Sequence, residues 1–215
     1  MKQKDVIIIA LIIVIISLTA WNSRYELIPT PSGYTWYNQH GMVFLYPKDL
    51  ILWEVVVHED GSFDSSMPVS EDLGTVGWNS GNTNIPQPET THWIESSVIW
   101  IRKEATEDLD LHLFYNQLYA NAERNQREIN LTKGEIEPFV HRKHQGRIQF
   151  FNYTTQTIGT DEWAQIYGVV AGFYCDETKR MIEIYYIDIY DENPIYDKES
   201  LLNEFNFILE SLNCH

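Results

Sequence analysis

Residues 6–16 form an unbroken aliphatic run, and the apolar stretch continues through Ser17, Leu18, Thr19 and Ala20 to Trp21. Lys2 and Lys4 stand in front of it; Asn22, Ser23 and Arg24 follow. About sixteen residues rise roughly 24 Å as a helix, slightly short of a hydrocarbon core of ~30 Å. Snorkelling lysines and an interfacial Trp21 supply the rest. The segment has no polar face, which argues against a core helix of a globular fold. A cleaved signal peptide is the rival reading, and it wants small residues at −3 and −1. A cut after Ala20 puts Leu18 at −3, and a cut after Thr19 puts Ser17 there. The expectation is a transmembrane signal anchor over residues 1–24, basic end inside, in a single-pass protein of the cell membrane. Residues 25–33, with Pro29 and Pro31, read as a linker, and residues 34–215 as one extracytoplasmic domain.

Beyond the linker the pattern is that of strands. Aromatic and β-branched runs at 34–38, 42–46 and 52–58 are punctuated by Pro47, Lys48 and Asp49. Residues 59–92 are mostly Gly, Ser, Asn, Pro and acids, and read as a long loop holding one short strand at 75–78. Residues 93–102 alternate as a strand. Thr106 is then a candidate N-cap for a helix through about Arg124, with Glu107, Asp108 and Asp110 in its first turn and Leu111, Phe114, Leu118 and Ala122 along one face. Strands are expected at about 137–143, 148–157 and 163–175, and residues 176–179 read as a hairpin tip leading into 180–190.

The last two strands are apolar on both faces. Met181, Tyr185, Ile187 and Ile189 point one way, and Ile182, Ile184 and Tyr186 the other. A sheet with one wet face shows polar residues at every second position, so layers are expected on both sides here. A closing helix from about Asp197 supplies one of them through Leu201, Leu202, Phe205, Ile208, Leu209 and Leu212.

Composition narrows function. With 15 Lys and Arg against 31 Asp and Glu, the net charge is −16. A surface that acidic repels phosphate backbones, which excludes nucleic acid as a partner class. Export gives the two cysteines a meaning. The strand at 180–190 runs about 33 Å from the hairpin tip and the closing helix about 27 Å back. Cys214 therefore returns to the end of the strand that Cys175 closes, and the expected disulfide is Cys175–Cys214. Two unpaired thiols are the alternative. Asn130-Leu131-Thr132 and Asn152-Tyr153-Thr154 are glycosylation sequons, which make Asn130 and Asn152 candidate glycan sites.

Catalytic patterns are missing from the sequence. It contains no Gly-x-Ser-x-Gly, no phosphate-cradling Gly-x-x-x-x-Gly-Lys, no Gly-x-Gly-x-x-Gly and no His-Glu-x-x-His, so no enzyme activity and no cofactor are expected. His141 and His144 flank Arg142 and Lys143, whose charges oppose a cation, and residues three apart in one strand face opposite ways. Metal ligation is not expected there. Asp60, Ser62, Asp64, Ser66 and Glu71 fit positions 1, 3, 5, 7 and 12 of a calcium loop, but Ser65 stands where Gly is wanted, and the segment reads as a solvated acidic loop. Trp78, Trp93, Trp100 and Trp163 suit a core, or a sugar- or partner-binding surface.

Residues 37–50, Tyr-Asn-Gln-His-Gly-Met-Val-Phe-Leu-Tyr-Pro-Lys-Asp-Leu, resemble the opening of PsbP-like domains. Residues 205–212, Phe-Asn-Phe-Ile-Leu-Glu-Ser-Leu, resemble the end of their last helix. The resemblance covers about residues 34–213 and implies an α+β fold of the PsbP/Mog1-like kind: an α/β/α sandwich with a central, mainly antiparallel sheet. It implies a non-catalytic role among extrinsic subunits, assembly helpers or regulators, and its motifs are packing motifs that carry over no functional residue. The expected function is an accessory or assembly subunit that holds lipid through its N-terminal helix and binds a membrane-protein partner. The alternative is an extracytoplasmic module for a ligand or divalent cation.

Overall fold

The computed structural model describes residues 30–80, 92–105, 111–156, 163–190 and 198–214. The expected anchor over 1–24, most of the linker, the proposed cap Thr106 and the acids Glu107, Asp108 and Asp110 lie outside them. Among the described residues no helix is long and apolar enough to cross a membrane.

The hairpin β1 (Tyr34–Gln39) and β2 (Met42–Pro47) stands apart from an eight-stranded sheet. That sheet contains β3 (Ile51–Val57), β4 (Phe63–Asp64), β5 (Leu73–Asn79), β6 (His92–Arg102), β7 (Ile129–His141), β8 (His144–Gln156), β9 (Trp163–Cys175) and β10 (Arg180–Tyr190). Its order is β4-β3-β5-β6-β10-β9-β8-β7, and every pairing is antiparallel. Two helices complete the fold, α1 (His112–Arg124) and α2 (Lys198–Ser211).

Strand period decides the layers. On one face Val98, Trp100, Val169, Ala171, Phe173, Ile182 and Ile184 pack with Leu201, Phe205, Ile208 and Leu212 of α2 and with Met42 and Phe44 of the hairpin. On the other, Ile99, Phe151, Ile166, Val170, Met181 and Tyr185 pack with Leu113, Phe114 and Tyr115 of α1. The result is an α+β sandwich with helices on both sides, in which β10 has the split of faces read from its sequence. Each large buried side chain of this kind contributes about 1.5–3 kcal/mol, so both layers are held mainly by apolar burial.

The hairpin is sealed to α2 through the chain terminus. Val43 and Asn213 exchange backbone hydrogen bonds at 2.9 and 2.7 Å, and the Leu45 amide donates to Ser211 Oγ at 2.8 Å. The two segments that resemble PsbP-like sequences thus lie against each other. His40 and Gly41, both at positive φ, form the two-residue hairpin turn. Arg180, buried at the start of β10, donates to the Gly41 carbonyl at 3.2 Å and fastens that turn to the sheet.

Three expectations need correcting. The helix expected from Thr106 begins at His112, because Leu111 adopts a left-handed conformation (φ 52°) that a right-handed helix cannot continue through; no acid stands in its first turn. The expected long loop over 59–92 is interrupted by β4 and by β5, a seven-residue interior strand between β3 and β6. Its Gly74 and Gly77 pack against the Trp100 and Trp53 rings, so the residues that looked loop-like make room for aromatics. Residues 81–91 lie outside the described part. The strand expected at 137–143 is β7, which starts at Ile129; its early residues are mostly exposed, as befits an edge, and so lack a hydrophobic signature.

Candidate functional site

The α1 layer is positioned by a carboxylate from the sheet. Leu111 gives α1 no side-chain cap. Glu183 of β10, fully buried, accepts the Leu113 amide at 3.1 Å and the Phe114 amide at 2.8 Å. Helix N-termini favour negative charge and leave amides without intrahelical partners, so one side chain answers both needs from seventy residues away. Beside it Gly172 leaves room for Leu111, whose Cδ2 would lie 2.7 Å from any Cβ there.

Farther along α1 the helix and sheet part, leaving a cavity of about 230 Å³. Phe114, Leu118, Ala122, Ile129, Ile166 and Ile187 make its apolar wall. Glu95, Gln117, Arg127, Tyr153 and Tyr185 bring the polar groups, with Asn121 and Asn125 from the exposed end of α1. Tyr185 Oη donates to Glu95 Oε1 at 2.9 Å. Burial raises the Glu95 pKa above the usual carboxylate value, partly opposed by that hydrogen bond. Burial and the neighbouring Glu95 push the Tyr153 and Tyr185 hydroxyls upward, so both stay protonated. Gln117 Oε1 and Arg127 Nε are buried atoms without a hydrogen-bond partner among the described residues. No sequence motif marks this site. Its members come from β6, α1, the segment after α1, β7, β8, β9 and β10, and only the fold assembles them.

Cys175 and Cys214 are joined as a disulfide, with their Cα atoms 6.7 Å apart. His144 Nε2 lies 3.8 Å from Cys214 Sγ. His141 and His144 do not face opposite ways. They stand on two strands, as cross-strand partners flanking the Arg142-Lys143 turn, and so share a face. Both rings pack on Phe173, and His141 Nε2 donates to the Leu212 carbonyl at 2.8 Å. His144, Cys175 and Cys214 lie close enough to share an ion. With both sulfurs committed to the disulfide, the thiolates that a metal needs are not on offer.

The calcium-loop residues turn inward on their own loop. Asp60 Oδ1 accepts from the Ser62 amide and hydroxyl at 2.9 and 2.7 Å. Asp64 Oδ1 accepts from the Ser66 amide and hydroxyl at 2.8 and 2.6 Å. These bonds hold both carboxyl groups below their ordinary pKa. Glu71 points instead toward Arg180, at 3.8 Å. These are turn-forming aspartates, and among the described residues they do not converge with Glu71.

Asn130 pairs with Thr154, and Thr132 with Asn152, so the two sequons oppose each other across β7 and β8. Asn130 is exposed and Asn152 half-buried. Trp78 and Trp100 belong to the core, Trp163 is exposed, and the Trp93 side chain is outside the described part.

β7 is one edge of the sheet, thirteen residues long, against a two-residue β4 at the other. Its register shifts between Lys133 and Ile136, where Gln149 Nε2 donates to the Gly134 carbonyl at 2.7 Å. Past the bulge Ile136, Pro138 and Val140 alternate onto one face and are exposed, Val140 at 67% and Ile136 at 46%.

No protein-family model matches the chain, and no curated protein does. Among solved structures, cyanobacterial PsbP (CyanoP) from Synechocystis sp. PCC 6803 is similar at 12% identity and a TM-score of 0.45, over 87% of this chain and 96% of that one. A Pseudomonas aeruginosa protein of unknown function, PA94, is similar at 11% identity and a TM-score of 0.33, over 85% of this chain and 97% of that one. The likeness to the PsbP/Mog1-like fold is therefore partial.

Proposed function

We propose that the chain is a membrane-tethered, extracytoplasmic, non-catalytic domain that binds a membrane protein as an accessory or assembly subunit. The observation that carries this reading is the exposed stripe Ile136, Pro138 and Val140 on edge strand β7. Exposed apolar residues scattered singly need no explanation, but three on one face of one strand suit a docking contact. The bulge and Pro138 spoil the edge for continuous strand addition, so the partner meets side chains rather than extending the sheet.

Two features support the compartment and topology in this reading. A buried disulfide suits an oxidising space, and Lys2 and Lys4 before the apolar run orient an anchor with the domain outside. If the exporting cell glycosylates, exposed Asn130 is the more accessible of the two acceptors.

Crosslinking in native membranes tests the reading. A photoreactive residue at Val140, in the full-length protein with a C-terminal tag, captures a stoichiometric membrane protein, whereas the same probe at exposed Glu123 on α1 does not. The variant Ile136→Asp with Val140→Asp loses the adduct without losing thermal stability. Recovery of the chain alone from the Val140 probe counts against a docking role for this stripe.

A further inference from the structure

We propose that reduction of the Cys175–Cys214 disulfide opens a zinc site made by Cys175, Cys214 and His144. His144 begins β8 and Cys175 ends β9, the neighbouring strand. Each lies two residues from the paired Gly146 and Phe173, so strand period puts them on one face. Cys214 reaches that face from beyond α2, just after the Val43–Asn213 bridge. All three side chains are buried, and their ligand atoms lie within 4.8 Å of one another.

Bond lengths fit the ion. Zinc bonds of about 2.3 Å to sulfur and about 2.1 Å to nitrogen, at tetrahedral angles, set two sulfurs roughly 3.8 Å apart and a sulfur and a nitrogen roughly 3.6 Å apart. His144 Nε2 already lies 3.8 Å from Cys214 Sγ. Stacking on Phe173, with ring centroids 5.5 Å apart, holds the imidazole in place. Once the S–S bond is broken, only the sulfurs have to part, and Cys214, outside any helix or strand, is the one that gives.

Charge selects the metal. Two thiolates and a neutral imidazole cancel one divalent cation, as a buried site requires, and sulfur with imidazole suits zinc. The set offers calcium no oxygen ligand. Of the two basic residues whose charges oppose a cation, Lys143 is paired with Glu177 and Arg142 is exposed to solvent. A dithiol reductant supplies the two electrons. Its sulfurs leave joined as a disulfide, the Cys175–Cys214 bond breaks, and both cysteines emerge as thiols. Zinc then displaces the two thiol protons to solvent. The same residues thus hold either a disulfide or an ion, never both.

Cobalt(II), a spectroscopic stand-in for zinc, tests the proposal in the full-length protein in detergent, reduced with a phosphine. The reduced protein binds one equivalent and shows a thiolate-to-cobalt charge-transfer band that zinc abolishes; the oxidised protein shows no band. His144→Gln weakens zinc binding by more than the roughly 10–100-fold that loss of an outer-shell partner costs, and Cys214→Ser removes most of the band. Excess zinc raises the Tm of the reduced wild type and of neither variant. Where reduction alone unfolds the domain, zinc restores its near-ultraviolet circular dichroism, and failure to do so overturns the proposal. So does the absence of a band in the reduced protein, an equal zinc affinity in the oxidised protein, or undiminished affinity in His144→Gln.

Discussion

Glu183 Oε2 accepts the Phe114 amide at 2.8 Å, so a strand residue of the sheet serves as the N-terminal cap of a helix seventy positions earlier. The contact sets where α1 starts and how it lies across the sheet, and the cavity farther along the helix depends on that placement. Glu183→Ala removes both acceptors and leaves two helix-end amides buried without partners, at a cost of about 2–4 kcal/mol. Glu183→Gln retains one acceptor and costs about 1–2 kcal/mol. Urea unfolding of the full-length protein measures both. Hydrogen exchange at the Leu113 and Phe114 amides rises in the Ala variant before that of β10.

The disulfide closes a span of 39 residues and ties the end of β9 to the chain terminus. Loop-closure entropy for such a span is worth about 4 kcal/mol. Cys175→Ser with Cys214→Ser lowers the unfolding free energy by about 2–5 kcal/mol. Because the terminus also carries the Val43–Asn213 bridge, protection of the β1–β2 hairpin amides falls with it. Thiol labelling without reductant finds no reactive cysteine in the wild type; labelling before reduction would refute the pairing.

Glu95 makes stability pH-dependent on the alkaline side of its usual range. Its folded pKa is raised above 4.5 by burial, so the native state binds the proton more tightly than the unfolded chain. Stability from this group is full below 4.5 and declines as the pH rises through the raised value. Glu95→Gln, neutral throughout, loses that slope. Denaturation of both proteins from acid to neutral pH shows the wild type losing ground to the variant as pH rises; parallel curves would count against a buried acid.

His141 works in the opposite direction. Burial lowers its pKa below 6.5, partly opposed by its bond to the Leu212 carbonyl, so the unfolded chain takes up the proton first. Stability is full above 6.5 and falls as the pH drops through the lowered value. His141→Gln, with a side-chain amide that can donate to the same carbonyl, flattens this limb of the profile. A two-dimensional NMR titration reports the depressed value directly; an ordinary histidine titration would contradict it.

Much of the architecture was legible because strand and helix periods are local. The two-sided apolar pattern of residues 181–187 required cover on both faces, and the α2 stripe at 201, 205, 208 and 212 supplied half of it. The expected cysteine pairing rested on element lengths together with export, and the structure joins the two residues. Local reading failed where a residue's environment comes from elsewhere. The start of α1 was misplaced because its cap sits on β10. β5 was underestimated because its glycines make room for tryptophans, and the start of β7 was missed because an edge buries little.

The sequence by itself determined the number of layers and the acidic surface, since these depend on period and composition, and it made the pairing of the two cysteines the expected one through element lengths. The tertiary structure decided the cavity and the facing of His141 with His144. It also decided the exposed row at Ile136, Pro138 and Val140. Each of these depends on strand register, and a shift of one residue turns a side chain to the other face of the sheet.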